Sequence, residues 1–474
     1  MSVDAMHSQN GASLLEVLVA IGISATAVVS AFLLLTSGVQ ISNTSRNAFQ
    51  AISLAEEGLE ASRSIRDLGW NALATGTHGL VFTASAWGFQ ATSDTIDGFT
   101  RQVTVTERST NERQVEATVR WAGALNRVQS FTLTTLLSNF RNVVAQRLFG
   151  NWQNPRTLGT IDLGPGNQGR SLAVRNGIVY MAASAESESK PDFFVIDATS
   201  GTHPVILARL NTGPGLVSIA VNGVFAYAAN NDENSQLQTI NITNTSSPAL
   251  INSFRFGSNG EEGTAVAVSS TTVYAATKQG SGPEFFVVNV ANPTSPTVLG
   301  TLKVGATVNH IHLFGTFAYL ATASSTCTFF IVDVSNPVHP VGSACGNLPG
   351  TNEALGVYVN DQDNRAYVVR RQATGVNTPE LTIFDVSNPR APLLLGTLEF
   401  PADIRGIFAA DGLAMLGTSL SNQEFQMYTV SNPATPTWYS GLNFSQVVND
   451  LAFENNIVYA AVRSNNALRI ITSQ

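Results

Sequence analysis

Charge is scarce in this chain of 474 residues: Lys plus Arg number 25 and Asp plus Glu 33, so 12% of the side chains are charged, about half the share of an ordinary globular protein. With a net charge of −8 and no basic run, the chain lacks the clustered Lys and Arg that binding to a phosphate backbone requires, and nucleic acid is not an expected partner. Cysteine is nearly absent as well. The two present, Cys327 and Cys345, exclude a multi-bridge scaffold and a multi-cysteine zinc or iron–sulfur site and leave room for one bridge. Also missing are Gly-x-Ser-x-Gly, His-Glu-x-x-His and P-loop motifs, so the sequence calls for no enzyme, cofactor or metal. What fills the composition is apolar, at 44%. A chain of this length and hydrophobicity builds more than one domain and is not a disordered tail.

From Val17 to Ser45 no residue is charged, and Val17–Leu35 is nearly all Val, Leu, Ile, Ala and Phe, long enough as a helix to span a bilayer. Before it stands Gly11-Ala12-Ser13-Leu14-Leu15-Glu16-Val17-Leu18. A carboxylate near one end of an apolar helix is costly in a membrane and usually marks function.

This stretch resembles the N-terminal motif of type IV pilins and type II secretion pseudopilins. The resemblance implies cleavage by a prepilin peptidase between Gly11 and Ala12, methylation of the new N-terminus, and an assembly role for Glu16 as the fifth residue of the mature chain. It implies the inner membrane and other pilin or pseudopilin subunits as partners. The chain departs from the family's usual pattern at Ala12, where Phe is most frequent, and in a leader without Lys or Arg.

Helical spacing continues through Phe49, Ile52, Leu54, Leu59 and Ile65. The expectation is one long helix, residues 12–67, about 80 Å at 1.5 Å per residue, with a transmembrane half after a leader at 1–11. Alternating apolar positions at Phe99, Val103 and Val105, at Val115, Ala117, Val119 and Trp121, and at Phe131, Leu133 and Leu137 predict a small antiparallel β head over 68–140. Residues 141–155 read as a linker.

Beyond it the sequence is periodic. Asp333-Val334-Ser335-Asn336-Pro337-Val338-His339-Pro340 recurs as Asp385-Val386-Ser387-Asn388-Pro389-Arg390-Ala391-Pro392, and the closing prolines, Pro204, Pro248, Pro296, Pro340, Pro392 and Pro436, lie 44, 48, 44, 52 and 44 residues apart. Asn before Pro suits a tight turn, because the Asn side chain caps it and Pro presets φ. Four short strands per unit of about 45 residues mark a β-propeller blade. Seven units are countable over 156–474, and the first strand, at Arg156, is placed to complete the last unit.

The Phe329–Val334 and Leu381–Val386 cores resemble LVIVP-type repeats, propeller blades of bacterial surface and secreted proteins. The expected fold is therefore mostly β with one long N-terminal α-helix: a pilin-like helix and small sheet, then a seven-bladed propeller. Cys327 and Cys345 lie symmetrically about the turn at Asn336 and are candidates for a cross-strand disulfide. Aligning the blades brings His310 and Asp450 to the start of the innermost strands, with Arg170, Asn309, Arg405 and Asn449 one position earlier, so that polar groups gather at one mouth of the channel as a candidate ligand site.

These readings point to a minor pilin-like subunit, inserted in the membrane as a precursor and then in an extracellular filament, that displays the propeller to a protein or glycan ligand for adhesion. A type II secretion pseudopilin, or a surface-anchored propeller hydrolase or lyase working at the channel mouth, is the alternative.

Overall fold

The computed structural model describes residues 14–474, apart from 139–146 and short pieces at 69, 84–85, 110–111, 124–126, 186, 188, 214, 258–260, 347, 349–351 and 373–377. Gly11 and Ala12 lie outside the described residues. The chain divides into two compact units, Met1–Phe140 and Arg141–Gln474.

In the first unit helical backbone is assigned over Leu14–Leu68, and its side chains are described, apart from two isolated positions, in two short stretches, 21–34 and 44–66. The expectation of one long pilin-like helix with a transmembrane half is thereby corrected to two short helical stretches on a mostly β protein. Among the described residues no helix is long and apolar enough to cross a membrane. The two stretches differ in surroundings. Ile23, Val28, Phe32 and Leu34 are exposed, whereas Ala51, Leu54, Ala55, Leu59, Ala61 and Ile65 are buried.

The second stretch packs on a six-stranded antiparallel sheet whose long strands are Phe99–Ser109, Glu112–Ala122 and Val128–Ser138. Val103, Val105, Val115, Ala117 and Val119 face the helix and form one core with it. Contact is close at Gly58, where a Cβ would come within 3.1 Å of the Ala117 Cβ. Arg101 is buried under the helix, donating to Asp94 Oδ2 at 2.9 Å and to the Leu54 carbonyl at 3.3 Å, so its charge is paired rather than stranded.

The second unit holds seven four-stranded antiparallel sheets. Their innermost strands define blades 1 to 7: Asn167–Arg175, Leu216–Asn222, Gly263–Ser269, Val308–Phe314, Ala354–Asn360, Ile404–Ala410 and Val448–Glu454. Each innermost strand neighbours the next in order, and that of blade 7 neighbours that of blade 1, which closes the ring. Blade 7 takes its outermost strand from the start of the unit: Arg156–Ile161 pairs with Leu468–Thr472, with Gly159 opposite Ile470. Closure of this kind leaves no gap in the ring where a blade would expose an unpaired face.

Blade 4 explains why these residues make this fold. Its second and third strands, Phe317–Thr322 and Phe329–Asp333, are buried on both faces because neighbouring blades cover them, so they read as near-continuous apolar runs. Phe329 lies between Tyr319 of its own blade and Phe384 of the next, with ring centroids 6.1 and 5.1 Å away. Burying such a ring contributes about 1.5–3 kcal/mol. The outermost strand, Val341–Gly346, is half exposed. The turn before it works as its sequence demands: Asn336 Oδ1 accepts the Val338 N–H at 3.2 Å, and Asp333 Oδ1 accepts the Ser335 N–H at 3.0 Å. Blade 5 repeats both bonds from Asn388 to Arg390 and from Asp385 to Ser387.

Cys327 and Cys345 form a disulfide across the edge of blade 4, with Cα atoms 5.5 Å apart.

Candidate functional site: the channel mouth

All seven innermost strands carry a β-bulge two residues or so from their start, each skipping one residue in the pairing. The skipped residues are Arg170, Val217, Thr264, Asn309, Leu355, Arg405 and Asn449, one per blade. A bulge frees a side chain from the alternation of its strand and re-aims it. Here the bulges form a ring at the mouth of the central channel.

The ring divides by what each side chain does. Thr264 Oγ1 donates to the Val308 carbonyl at 2.6 Å, Asn309 Nδ2 to the Ala354 carbonyl at 2.7 Å, and Asn449 Nδ2 to the Gly169 carbonyl at 2.7 Å. Each of these staples its blade to the next, and Asn449 does so across the closure. Asn309 also donates to Glu353 at 3.2 Å. The two arginines hold no such staple: Arg405 pairs with Asp403 at 2.7 Å, and Arg170 makes no ion pair or side-chain hydrogen bond among the described residues.

One residue further in, Ser171 and His310 line a cavity of about 410 Å³ with Ser218, Gly356, Arg405 and Asp450. Gly406 is required there, since a Cβ would lie 3.2 Å from the Asp450 backbone. Asp450 joins blade 7 to blade 1: its carboxylate accepts Ser171 Oγ at 2.8 Å and the Leu172 N–H at 3.1 Å, while its other oxygen accepts the Leu451 N–H at 2.8 Å. Burial pushes the Asp450 carboxyl above its ordinary range, against the opposing pull of His310 and these three donors. Burial likewise pushes His310 down, opposed by the Asp450 charge and a backbone hydrogen bond with Val357. Its Nδ1 is buried without a partner.

Deeper in the channel the lining turns aromatic. His312 meets Tyr358 edge-on at 4.9 Å, and Tyr358, Phe408 and Phe453 follow one another at 4.9 and 4.7 Å. Burial and the neighbouring His310 hold His312 down at about 3. Among the described residues no group of three His, Cys, Asp or Glu is placed to hold a metal ion.

The structure brings Arg170, Asn309, His310, Arg405, Asn449 and Asp450 together at one mouth, although Asn309, Asn449 and Asp450 spend their polar atoms on joining blades. Sequence alignment missed Arg463, which follows the second strand of blade 7, Ile457–Val462. Its backbone N–H donates to the Val447 carbonyl at 2.8 Å, and its charge, with that of Arg405, adds to burial in lowering the basicity of Arg170. No alignment of innermost strands reaches it. The backbone of Glu16 is helical and its side chain lies outside the described ones.

Fold and mouth together define a propeller-type repeat domain. Residues 217–255, 305–343 and 374–399 match the model of the LVIVD repeat, so the repeat likened to LVIVP-type blades is described by its Asp-ended form, as in Phe-Phe-Ile-Val-Asp333. No curated protein matches the chain. Among solved structures it is similar to a chain of the mitotic checkpoint complex, at 12% identity over 69% of this chain and 93% of that one with a TM-score of 0.52. It is similar to the WD40 beta propeller domain of Doa1, at 10% identity over 69% and 98% with a TM-score of 0.50. A catalytically inactive virginiamycin B lyase from Staphylococcus aureus with quinupristin aligns at 11% identity over 68% and 100% with a TM-score of 0.51. Identities this low carry the propeller fold and nothing of its chemistry.

Proposed function

We propose that this protein is a minor type IV pilin-like subunit whose propeller is an extracellular binding module for adhesion. The propeller supports the binding half of the reading, and the sequence from Gly11 to Glu16 supports the pilin half. One observation carries it: the ring of seven bulges presents its two unstapled arginines on one face, while the chain enters the propeller from the other. Residues 147–152 dock beside the turns at Asp411 and Asn456, at the far ends of the innermost strands. The tether and the mouth therefore occupy opposite faces, as a displayed binding module requires.

Binding without turnover fits the state of Asp450, whose carboxylate is already engaged by three donors in joining the ring. The partners that follow are the prepilin peptidase, pilin or pseudopilin subunits, the inner membrane before assembly, and an extracellular protein or glycan. A propeller of this size crowds neighbours if carried by every subunit, so its place is at a tip or at sparse positions. The alternative, a type II secretion pseudopilin, is distinguished by whether the neighbouring machinery exports substrates or retracts a pilus.

N-terminal sequencing of protein from sheared surface filaments and, separately, from membranes tests this reading. A filament fraction that starts at Ala12 supports it. Intact Met1 confined to membranes overturns the pilin half and leaves a binding propeller.

A further inference from the structure

Three guanidinium groups crowd one arc of the channel mouth. Arg170 is the bulge of blade 1, Arg405 the bulge of blade 6, and Arg463 follows the second strand of blade 7, Ile457–Val462, between them. The connection is geometric: Asn449 of blade 7 bonds the Gly169 carbonyl, Gly406 lies against the Asp450 backbone, and a Cβ at Gly169 would stand 3.0 Å from the Val462 backbone. Thus 449–450 of blade 7 lies against both 169–170 and 405–406, and 462–463 lies against 169–170.

Only one of these three charges is neutralised in place. Arg405 pairs with Asp403, and even so its Nε is buried without a partner. Arg170 and Arg463 have no ion pair or side-chain hydrogen bond among the described residues. Like charges held close are unfavourable unless an anion completes them, and the planar fork of a guanidinium matches a carboxylate in two parallel hydrogen bonds. At the equivalent positions of blades 3, 4 and 7 the repeat places Thr264, Asn309 and Asn449, which staple the ring. Blades 2 and 5 carry Val217 and Leu355 at that position, so Arg170 and Arg405 are the charged members of the bulge ring.

We propose that the mouth binds an acidic sugar residue, its carboxylate held by Arg170, Arg405 and Arg463. This rests on the reading of the propeller as a binding module and names its ligand class. The channel cavity of about 410 Å³, lined by Arg405 and by Ser171, the neighbour of Arg170, has the scale of a ligand pocket; Arg170 and Arg463 are not part of its lining. A peptide that adds a strand needs a free sheet edge. At this mouth the edge N–H groups of Leu172, Ile219 and Val266 are already taken by Asp450, Ser171 and Ser218. Recognition therefore falls to side chains.

The test is calorimetric titration of the purified full-length protein with trigalacturonate and with neutral galactotriose. A tripeptide with a free C-terminus and its amide form the second pair. Expected is binding of trigalacturonate over galactotriose, weakened by raised salt, and reduced about 10- to 100-fold by Arg170→Ala with Arg463→Ala. Both side chains reach solvent, so the fold is kept; an unchanged melting curve checks this, and Arg170→Lys with Arg463→Lys restores part of the affinity. Equal binding of the two sugars, no binding of trigalacturonate, or a preference for the free-acid peptide overturns the inference. Failure of the binding-module reading is seen separately, as unchanged adhesion of cells whose copy of this protein lacks residues 156–474.

Discussion

Glu424 Oε2 accepts the backbone N–H of Phe444 at 2.8 Å, across a separation of twenty residues. The same interval joins Asp192 to Thr212, Gln236 to Phe256, Glu284 to Val304, Thr328 to Leu348 and Glu380 to Phe400. In six of the seven blades a buried side chain just before the third strand grips the loop that leads to the next blade; blade 7 has Ala467 there. Those loops surround the channel mouth, so the bonds hold the rim on which the arginines stand.

Removing one such acceptor leaves a buried N–H unpaired, at about 1–3 kcal/mol. Glu424→Ala is expected to lose that much in thermal unfolding. Glu424→Gln keeps an acceptor oxygen and is expected to lose less than half as much. Equal losses would show that the Phe444 bond is not what the residue supplies.

The disulfide encloses a short loop of blade 4, with its cysteines 18 residues apart in sequence. By the loop-entropy argument a bridge over a loop of this size contributes about 3 kcal/mol. Reductant is expected to lower the Tm of the native protein to that of the Cys327→Ser, Cys345→Ser double variant, which itself does not respond to reductant. A native protein indifferent to reductant, with thiols titratable after unfolding, would exclude the bridge.

The seven-fold repeat was legible because its signals are local. Asn336 caps its own turn two residues on, and Asn388 does the same, so each blade announces itself in eight residues. The end register was legible for the same reason, since an unpaired first strand at Arg156 and an unfinished last blade are visible in the order of the strands. Alignment of the blades placed Arg170, Asn309, Arg405 and Asn449 at one position, yet not that the position is a bulge or what it does. Asn449 and Arg405 look alike as polar residues in a ring, and only the bond from Asn449 to Gly169, spanning 280 positions, separates a staple from an arginine paired within its own blade to Asp403. The N-terminal helix failed differently. Helical periodicity does not separate the exposed apolar residues of 21–34 from the buried ones of 44–66, which share a core with the sheet.

Residues 147–152 clasp the closing blade. Trp152 is buried, its indole N–H donates to Asn456 Oδ1 at 3.1 Å, and its carbonyl accepts Ser440 Oγ at 2.7 Å. Asn456 Oδ1 also accepts the Phe149 N–H at 2.8 Å. The clasp immediately precedes the strand that closes the ring, so it secures the point where the propeller is tethered. Trp152→Ala is expected to cost about 3–5 kcal/mol. Asn456→Gly removes the bonds while suiting the backbone, whose φ is 63°, and is expected to cost about 1–3 kcal/mol. Both variants should speed proteolysis between 147 and 161 relative to the rest of the propeller, and cleavage spread evenly over all blades would assign the loss to general destabilisation.

His312 sets the acid limit of the propeller. Burial first, then the neighbouring His310, holds it neutral down to about pH 3, whereas in the unfolded chain it takes up a proton near pH 6.5. The unfolded state therefore binds more protons across that window, and stability is lost as pH falls from about 6.5 toward 3. His310 is shifted in the same direction and adds to the loss. Asp450 works against it, because its raised carboxyl binds a proton in the folded protein before it would in the unfolded chain. His312→Phe, which keeps a ring against Tyr358, is expected to flatten the decline of unfolding free energy between pH 6.5 and 4.5 by about a kcal/mol or more. A decline of unchanged slope in that variant would place the acid sensitivity elsewhere in the ring.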